Sequence, residues 1–409
     1  MKRIRNNVLL IAGIMLALSG CKITNKMSSQ NIAGLYDPAS LSYNQLQVVI
    51  FNRDNNLSRM YIRILPDALI NLVPPDPKEV VNLKYIVTKA YTSTELVDSG
   101  TIQLEIPGTN QPFILERDLR TPAGARYVLS LVASRAQLGT VLEIDRSVLY
   151  GRQDYLLTDE AGNTVFSDYI RPGTFYRLML EAASVNRVQV RQYKRSFPVA
   201  MPPYAFERDM VFDYKADSVY YISMTDGISE PFVLPEDCFA HFVADTNRRA
   251  GKTVFAFYEG FPSVLNAVHM MEPLRYLTTS KEFEGLTGAA DNKLAVDRFW
   301  LSLTGNAERA RTRIRAYYSR VEQANHLFST YHEGWKTDRG LIYIIYGPPR
   351  IVYRSDDTEK WIYGDEQSTK ALRLVFSKID NPFTPQDYGL NKSSVYRESW
   401  FNAVEVWRR

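Results

Sequence analysis

The block Leu341-Ile342-Tyr343-Ile344-Ile345-Tyr346 constrains this chain more than any other stretch, because six consecutive apolar or aromatic residues must be covered on all sides. Ahead of it, Thr337-Asp338-Arg339-Gly340 has the composition of a tight turn. Thr337 can hydrogen-bond nearby N–H groups, and Gly340 is free to take a positive φ. Behind it, Gly347-Pro348-Pro349 removes ladder donors, fixes φ and pushes the preceding residue to extended geometry. Six residues are too few for an ordinary helix, so the block is expected to be a buried strand.

A chain of 409 residues has room for about two to four domains, each with a real core. At 45% hydrophobic and 23% charged residues the composition is globular rather than disordered. Lys2, Arg3 and Arg5 account for most of the apparent basicity. Without them 46 Lys+Arg face 45 Asp+Glu, a net charge of about +1 that gives no electrostatic footprint for nucleic acid.

Residues 1–20 have the form of a cleaved signal peptide, with a basic start, an apolar run from Val8 to Leu18 and small residues before Cys21. The apolar run covers about 17 Å as a helix, against a hydrocarbon core of about 30 Å. Leu18-Ser19-Gly20-Cys21 resembles the lipobox of bacterial lipoproteins. That resemblance implies acylation of Cys21, and several acyl chains at about 0.8 kcal/mol per buried CH2 make a permanent anchor. The membrane is therefore one expected partner. Some bacterial lipoproteins exported to the cell surface carry an acidic patch just after the acylated cysteine; no acidic residue follows Cys21 before Asp37, so the resemblance implies an anchor facing the periplasm, with the outer membrane as the expected address. Cys238 is then the only free thiol and, between Phe239 and Phe242, reads as a small buried hydrophobe.

Residues 21–41 are small and polar, as a tether is. Over 42–150, alternation at Met60, Ile62 and Ile64, at Ile102 and Leu104, and at Tyr127, Leu129 and Leu131 predicts an immunoglobulin- or fibronectin-like β-sandwich. Arg53-Asp54-Asn55-Asn56 reads as a hairpin turn. A second β-rich block spans 151–260, with strands around Leu156 and Val190; a second sandwich or a β-extension of the first domain is expected there. From 261 to 409 the period becomes helical. Asp291 is an N-cap, Ile314, Tyr318, Val321 and Phe328 form one stripe, and a terminal helix turns Trp400 and Trp407 inward. Trp361-Ile362-Tyr363 and Leu372–Phe376 are expected strands pairing with Leu341–Tyr346. The fold class is thus multidomain β plus a C-terminal helical and α+β domain.

Gly334-Trp335-Lys336-Thr337-Asp338, with Arg339-Gly340, Tyr346-Gly347-Pro348-Pro349 and Trp361, resembles the GWxTD domain of bacterial envelope proteins. The likeness covers roughly 262–409, extending upstream through Asp297-Arg298-Phe299-Trp300. It implies an envelope address and an α+β domain, and no assigned activity. Gly334, Trp335, Thr337, Asp338, Arg339, Gly340, Tyr346, Gly347, Pro348 and Trp361 are expected to be structural or interaction residues, with Arg339 paired to a carboxylate.

No catalytic motif stands out. His332-Glu333 lacks the second histidine that a zincin helix needs, and Cys-x-x-Cys, Gly-x-Ser-x-Gly and Walker glycine loops are missing from the sequence. No cofactor or metal is expected. The reading that fits best is a non-catalytic, lipid-anchored scaffold or binding module for another envelope protein. The alternative is an envelope hydrolase or glycan-processing enzyme with its acid/base set at Asp338, Glu333 and His332.

Overall fold

The computed structural model describes residues 27–28, 30–40, 45–72, 80–105, 111–135, 138–182, 184–206 and 212–409. Residues 1–20, expected to be a signal peptide, and Cys21 lie outside the described residues. Among those described, no helix is long and apolar enough to cross a membrane.

Seven antiparallel strands build the first domain as a two-sheet sandwich. One sheet is ordered β1 (Leu46–Asn52), β2 (Leu57–Ile64), β5 (Phe113–Arg120). The other is β4 (Leu96–Leu104), β3 (Val81–Thr88), β6 (Arg126–Ala133), β7 (Gly139–Asp145). The period-2 pattern sends Met60, Ile62 and Ile64 of β2 inward against Leu83, Tyr85, Leu129 and Leu131 of the facing sheet. The β1–β2 turn is an Asx turn: Asp54 Oδ1 accepts from the N–H groups of Asn56 and Leu57 at 2.7 and 2.9 Å. Helix α1 (Pro66–Leu72) adds Leu69 and Leu72 to the same core.

The second block is one antiparallel sheet that folds over on itself, so that its two ends enclose a single core and the Tyr155 hydroxyl accepts from Ala244 N at 2.9 Å. Its order is β14 (Lys252–Ala256), β13 (Cys238–Val243), β10 (Arg187–Tyr193), β11 (Ser218–Thr225), β12 (Ile228–Ser229), β9 (Tyr176–Leu180), β8 (Tyr155–Asp159). Short β12 bridges β11 to β9 and so joins what would otherwise be separate ladders. It turns out of β11 through Asp226 and Gly227, both at positive φ.

The C-terminal module packs helices on a four-stranded antiparallel sheet, β15 (Ile351–Arg354), β16 (Thr358–Tyr363), β17 (Leu372–Lys378) and β18 (Tyr388–Leu390), paired in chain order. Its helices are α2 (Ala267–Met271), α3 (Ser280–Thr287), α4 (Asn292–Thr304), α5 (Ala307–Phe328), α6 (Asp338–Tyr346) and α7 (Arg397–Arg408). Asp291 does cap α4, accepting from Leu294 N at 3.0 Å. All five tryptophans are buried here.

Leu341–Tyr346 is helix, not strand. Thr337 N-caps α6, so Asp338, Arg339 and Gly340, read as a turn, are its first turn and bring it to nine residues. A short apolar run buried on every side has no period to distinguish strand from helix. Trp361 and Leu374 therefore pair with each other across β16 and β17, while α6 lies against α5 and β18.

The segment 30–40, read as part of a tether, is instead packed into this same module. Ile32, Ala33 and Tyr36 belong to its core cluster. Ser28 N and Ile32 N donate to the carbonyls of Arg354 and Val352 at 3.0 Å each, and Asn31 Oδ1 accepts from Val352 N at 2.9 Å. A segment poor in long apolar runs is held by edge-strand hydrogen bonds along β15 and by one aromatic anchor.

Candidate functional site

Each residue of the Gly334–Gly340 motif has a particular neighbour. A Cβ on Gly334 would lie 1.9 Å from the carbonyl oxygen of Ala324, so only glycine lets the Gly334–Lys336 3-10 turn rest on α5. Asn325, itself buried, accepts from Trp335 N at 3.1 Å, and Ser329 Oγ accepts from Gly334 N at 2.9 Å. Thr337 Oγ1 accepts from Gly340 N at 2.9 Å and donates to Gly334 O at 2.8 Å. A Cβ on Gly340 would meet that same Gly334 oxygen at 1.9 Å. Asp338 Oδ2 accepts from Leu390 N at 2.8 Å, and Lys392 Nζ lies 3.5 Å from Oδ1, so this side chain ties α6 to β18.

At the other end of α6, Gly347 takes φ +86° and donates to Tyr343 O at 2.8 Å. Arg320 donates to the carbonyls of Ile344 and Ile345 at 3.0 and 3.2 Å, and Trp407 Nε1 to Ile345 O at 3.1 Å. A cation at the negative end of a short buried helix satisfies its last carbonyls. Of the five arginines on α5, Arg320 is therefore spent internally and Arg313 on the carbonyl of Val406 at 2.6 Å. Arg309, Arg311 and Arg315 face solvent.

Arg339 points into the core. Its guanidinium sits 4.5 Å from the Tyr388 ring and 5.0 Å from Phe328, donates to Gln386 O at 2.6 Å, and lies 3.6 Å from Glu359 Oε2. Glu359, with no exposed surface, also accepts from Arg354 at 2.7 and 2.9 Å, from Trp361 Nε1 at 2.6 Å and from the Tyr36 hydroxyl at 3.0 Å. Burial alone would raise its pKa, but Arg354 and Arg339 hold the carboxyl below its usual range. Arg339 thus has the carboxylate partner expected of it. Glu359, Arg354 and Tyr36, which complete the cluster, lie outside the residues that the sequence singles out. A signal exists for the first two, since Arg354 and Glu359 bracket Ser355-Asp356-Asp357-Thr358 and stand opposite each other in register.

Beside the motif, a cleft of about 550 Å³ runs between the second β block and the α5–α6 connection. Trp335, Lys336, His332 and Glu333 line one wall, and Phe197, Tyr258 and Cys238 the other. Lys336 Nζ is 3.0 Å from Glu333 and 3.6 Å from Glu272, and stands over the Trp335 ring at 5.3 Å. His269 stacks on Tyr258 with centroids 3.8 Å apart. His332, wedged against Phe197 and Tyr331, is pushed by burial down to about 4 and is neutral at pH 7. Burial pushes the Cys238 thiol up to about 11, against nucleophilic use.

The three residues of the alternative acid/base set are thus divided. His332 and Glu333 line the cleft, whereas Asp338 faces Leu390 and Lys392 and is not among its walls. Among the described residues no group of three or more His, Cys, Asp and Glu side chains is placed to hold a metal ion.

The fold and the motif define a β-rich multidomain chain ending in an α+β module organised around Gly334–Gly340. Residues 239–409 match the family model of the GWxTD domain, and this part of the chain is a GWxTD domain. The match begins inside β13, ahead of the helical region at 261. The physical link is an aromatic cluster in which Phe239 packs on Phe383 and Tyr331 with centroids 5.1 and 6.2 Å apart. No curated protein matches the chain. Several solved structures do. One titled "Structure of PhoD" is 17% identical over 33% of this chain with a TM-score of 0.21, too low to carry an argument, and the match spans 23% of that chain.

Proposed function

We propose that this protein is a lipid-anchored cell-envelope binding module, held by an acylated Cys21 at the outer membrane on its periplasmic side, that grips another envelope protein. The observation that supports it best is the use made of the motif. Gly334, Thr337, Asp338, Arg339 and Gly340 are committed to backbone contacts, a helix cap and a buried ion cluster, which together hold one wall of the cleft beside Trp335 and Lys336. A wall held in place by these contacts and carrying the charged side chains of Lys336 and Glu333 suits recognition of a protein surface.

The test is a pull-down from membranes in mild detergent, comparing the native chain with Cys21→Ala and with Lys336→Glu, which reverses the charge at the cleft wall. A specific envelope protein recovered with the native chain and lost with Lys336→Glu is expected. The hydrolase reading predicts a different result. Asp338→Asn would abolish the cellular phenotype while leaving folding and membrane location intact, and that outcome would replace the proposal.

A further inference from the structure

The N-terminal segment fixes how far the folded body can stand from the leaflet. Ser28 and residues 30–36 hold to the free edge of β15, with Ser28 N on Arg354 O, Asn31 on Val352 N and Arg350 O, and the Tyr36 hydroxyl on Glu359. Tyr36 O in turn accepts from the Tyr343 hydroxyl at 2.8 Å, so the segment is locked to α6 as well as to the sheet. Only residues 22–27 separate Ser28 from Cys21. Seven Cα steps span at most about 25 Å, whereas a free tether from 21 to 41 would reach about 70 Å. Ser28 leaves the fold where the GWxTD sheet meets the first sandwich, at a small cavity of about 140 Å³ lined also by Thr88, Tyr91, Ser93 and Arg354.

We infer that Ser28 and the clamped residues 30–40 hold the protein within about 25 Å of the lipid surface, with the β3–β4 turn at 90–94 and the β15–β16 turn at 355–357 facing the bilayer. This rests on acylation of Cys21, proposed above. The cleft beside Trp335 is then presented at a set height and orientation, rather than swung on a leash.

Energy transfer in liposomes tests the inference. The full-length acylated protein carries a donor at Thr94→Cys or Asp357→Cys, Cys238 being buried, and the vesicles carry a headgroup acceptor. A Gly/Ser insert of about 60 residues adds about 40 Å of mean reach and is placed either after Asn25 or after Ser40. With the clamp closed, the insert after Asn25 lowers transfer about twofold or more, and the insert after Ser40 leaves it unchanged. Equal loss from both inserts, or no loss from either, overturns the inference. Mass spectrometry showing no acyl group on Cys21 defeats the anchoring proposal itself, a separate and distinguishable failure.

Discussion

The hydroxyl of Tyr36 donates to Glu359 at 3.0 Å although 323 residues separate them, so one end of the described chain completes the buried ion cluster at the heart of the other. The Tyr36 ring also packs on Phe328 and Trp361 with centroids 5.6 and 5.5 Å apart. The GWxTD module is therefore not a C-terminal block in the covalent sense.

Removing that ring should open a cavity beside a carboxylate. Tyr36→Ala is expected to cost about 3–5 kcal/mol, and Tyr36→Phe, which loses only the hydrogen bond, about 1–2 kcal/mol. Urea denaturation followed by the fluorescence of the five tryptophans, all in this module, measures both.

Glu359 is the only carboxylate within 4 Å of the Arg339 and Arg354 guanidiniums among the described ion pairs. Glu359→Gln leaves two buried cations sharing a neutral amide, and a loss of about 3–5 kcal/mol is expected. Replacing Arg339, Arg354 and Glu359 together with Met, Met and Leu should recover most of it. A triple variant no more stable than Glu359→Gln would refute this account of the cluster.

Glycines 334 and 340 offer a sharper test, because the atoms a Cβ would strike are carbonyl oxygens of packed backbone. Gly334→Ala and Gly340→Ala should each cost about 3 kcal/mol or more. Gly285, in α3 with nothing within 4 Å of its missing Cβ, should gain about 0.5–1 kcal/mol when changed to alanine. Thermal melts of the three variants give the comparison.

His241 is buried in β13 between Thr253 Oγ1 and Arg249 O, each at 2.8 Å. Burial is the main cause that pushes it down to about 4. A pKa lowered on folding means that the unfolded chain binds more protons between about 4 and 6.5, so stability is full above pH 6.5 and is lost as pH falls through that window. Up to about 3 kcal/mol is at stake. His241→Asn should flatten the fall in denaturation free energy between pH 7 and 4.5, relative to the parent, by about one proton's slope. Parallel curves for the two proteins would show that His241 does not titrate this way.

Much of the architecture was legible because its signal is local. Alternation at Met60, Ile62 and Ile64 reports a strand with one buried face. Asp291 and the Tyr318–Phe328 stripe report helix starts and faces in the same way. Arg339 was legible as an ion-pair member because a charge beside a long apolar run must find a partner. What escaped was decided by neighbours remote in sequence. Leu341–Tyr346 carries no period, so only the cap at Thr337 and its burial among α5, the sheet and α7 make it a helix.

By itself the sequence determined the β-to-helical change of period, the burial of the tryptophans and the glycine-bounded motif, since each follows from side-chain size, polarity and backbone freedom within a few residues. Tertiary structure alone decided that Glu359 serves Tyr36, Arg339, Arg354 and Trp361 together, that Asp338 turns away from His332, and that the segment at 30–40 docks rather than dangles. Those outcomes depend on which surfaces meet. Hydrogen bonds and ion pairs between distant residues leave no periodicity in the chain, because their strength comes from the desolvated space in which folding places them.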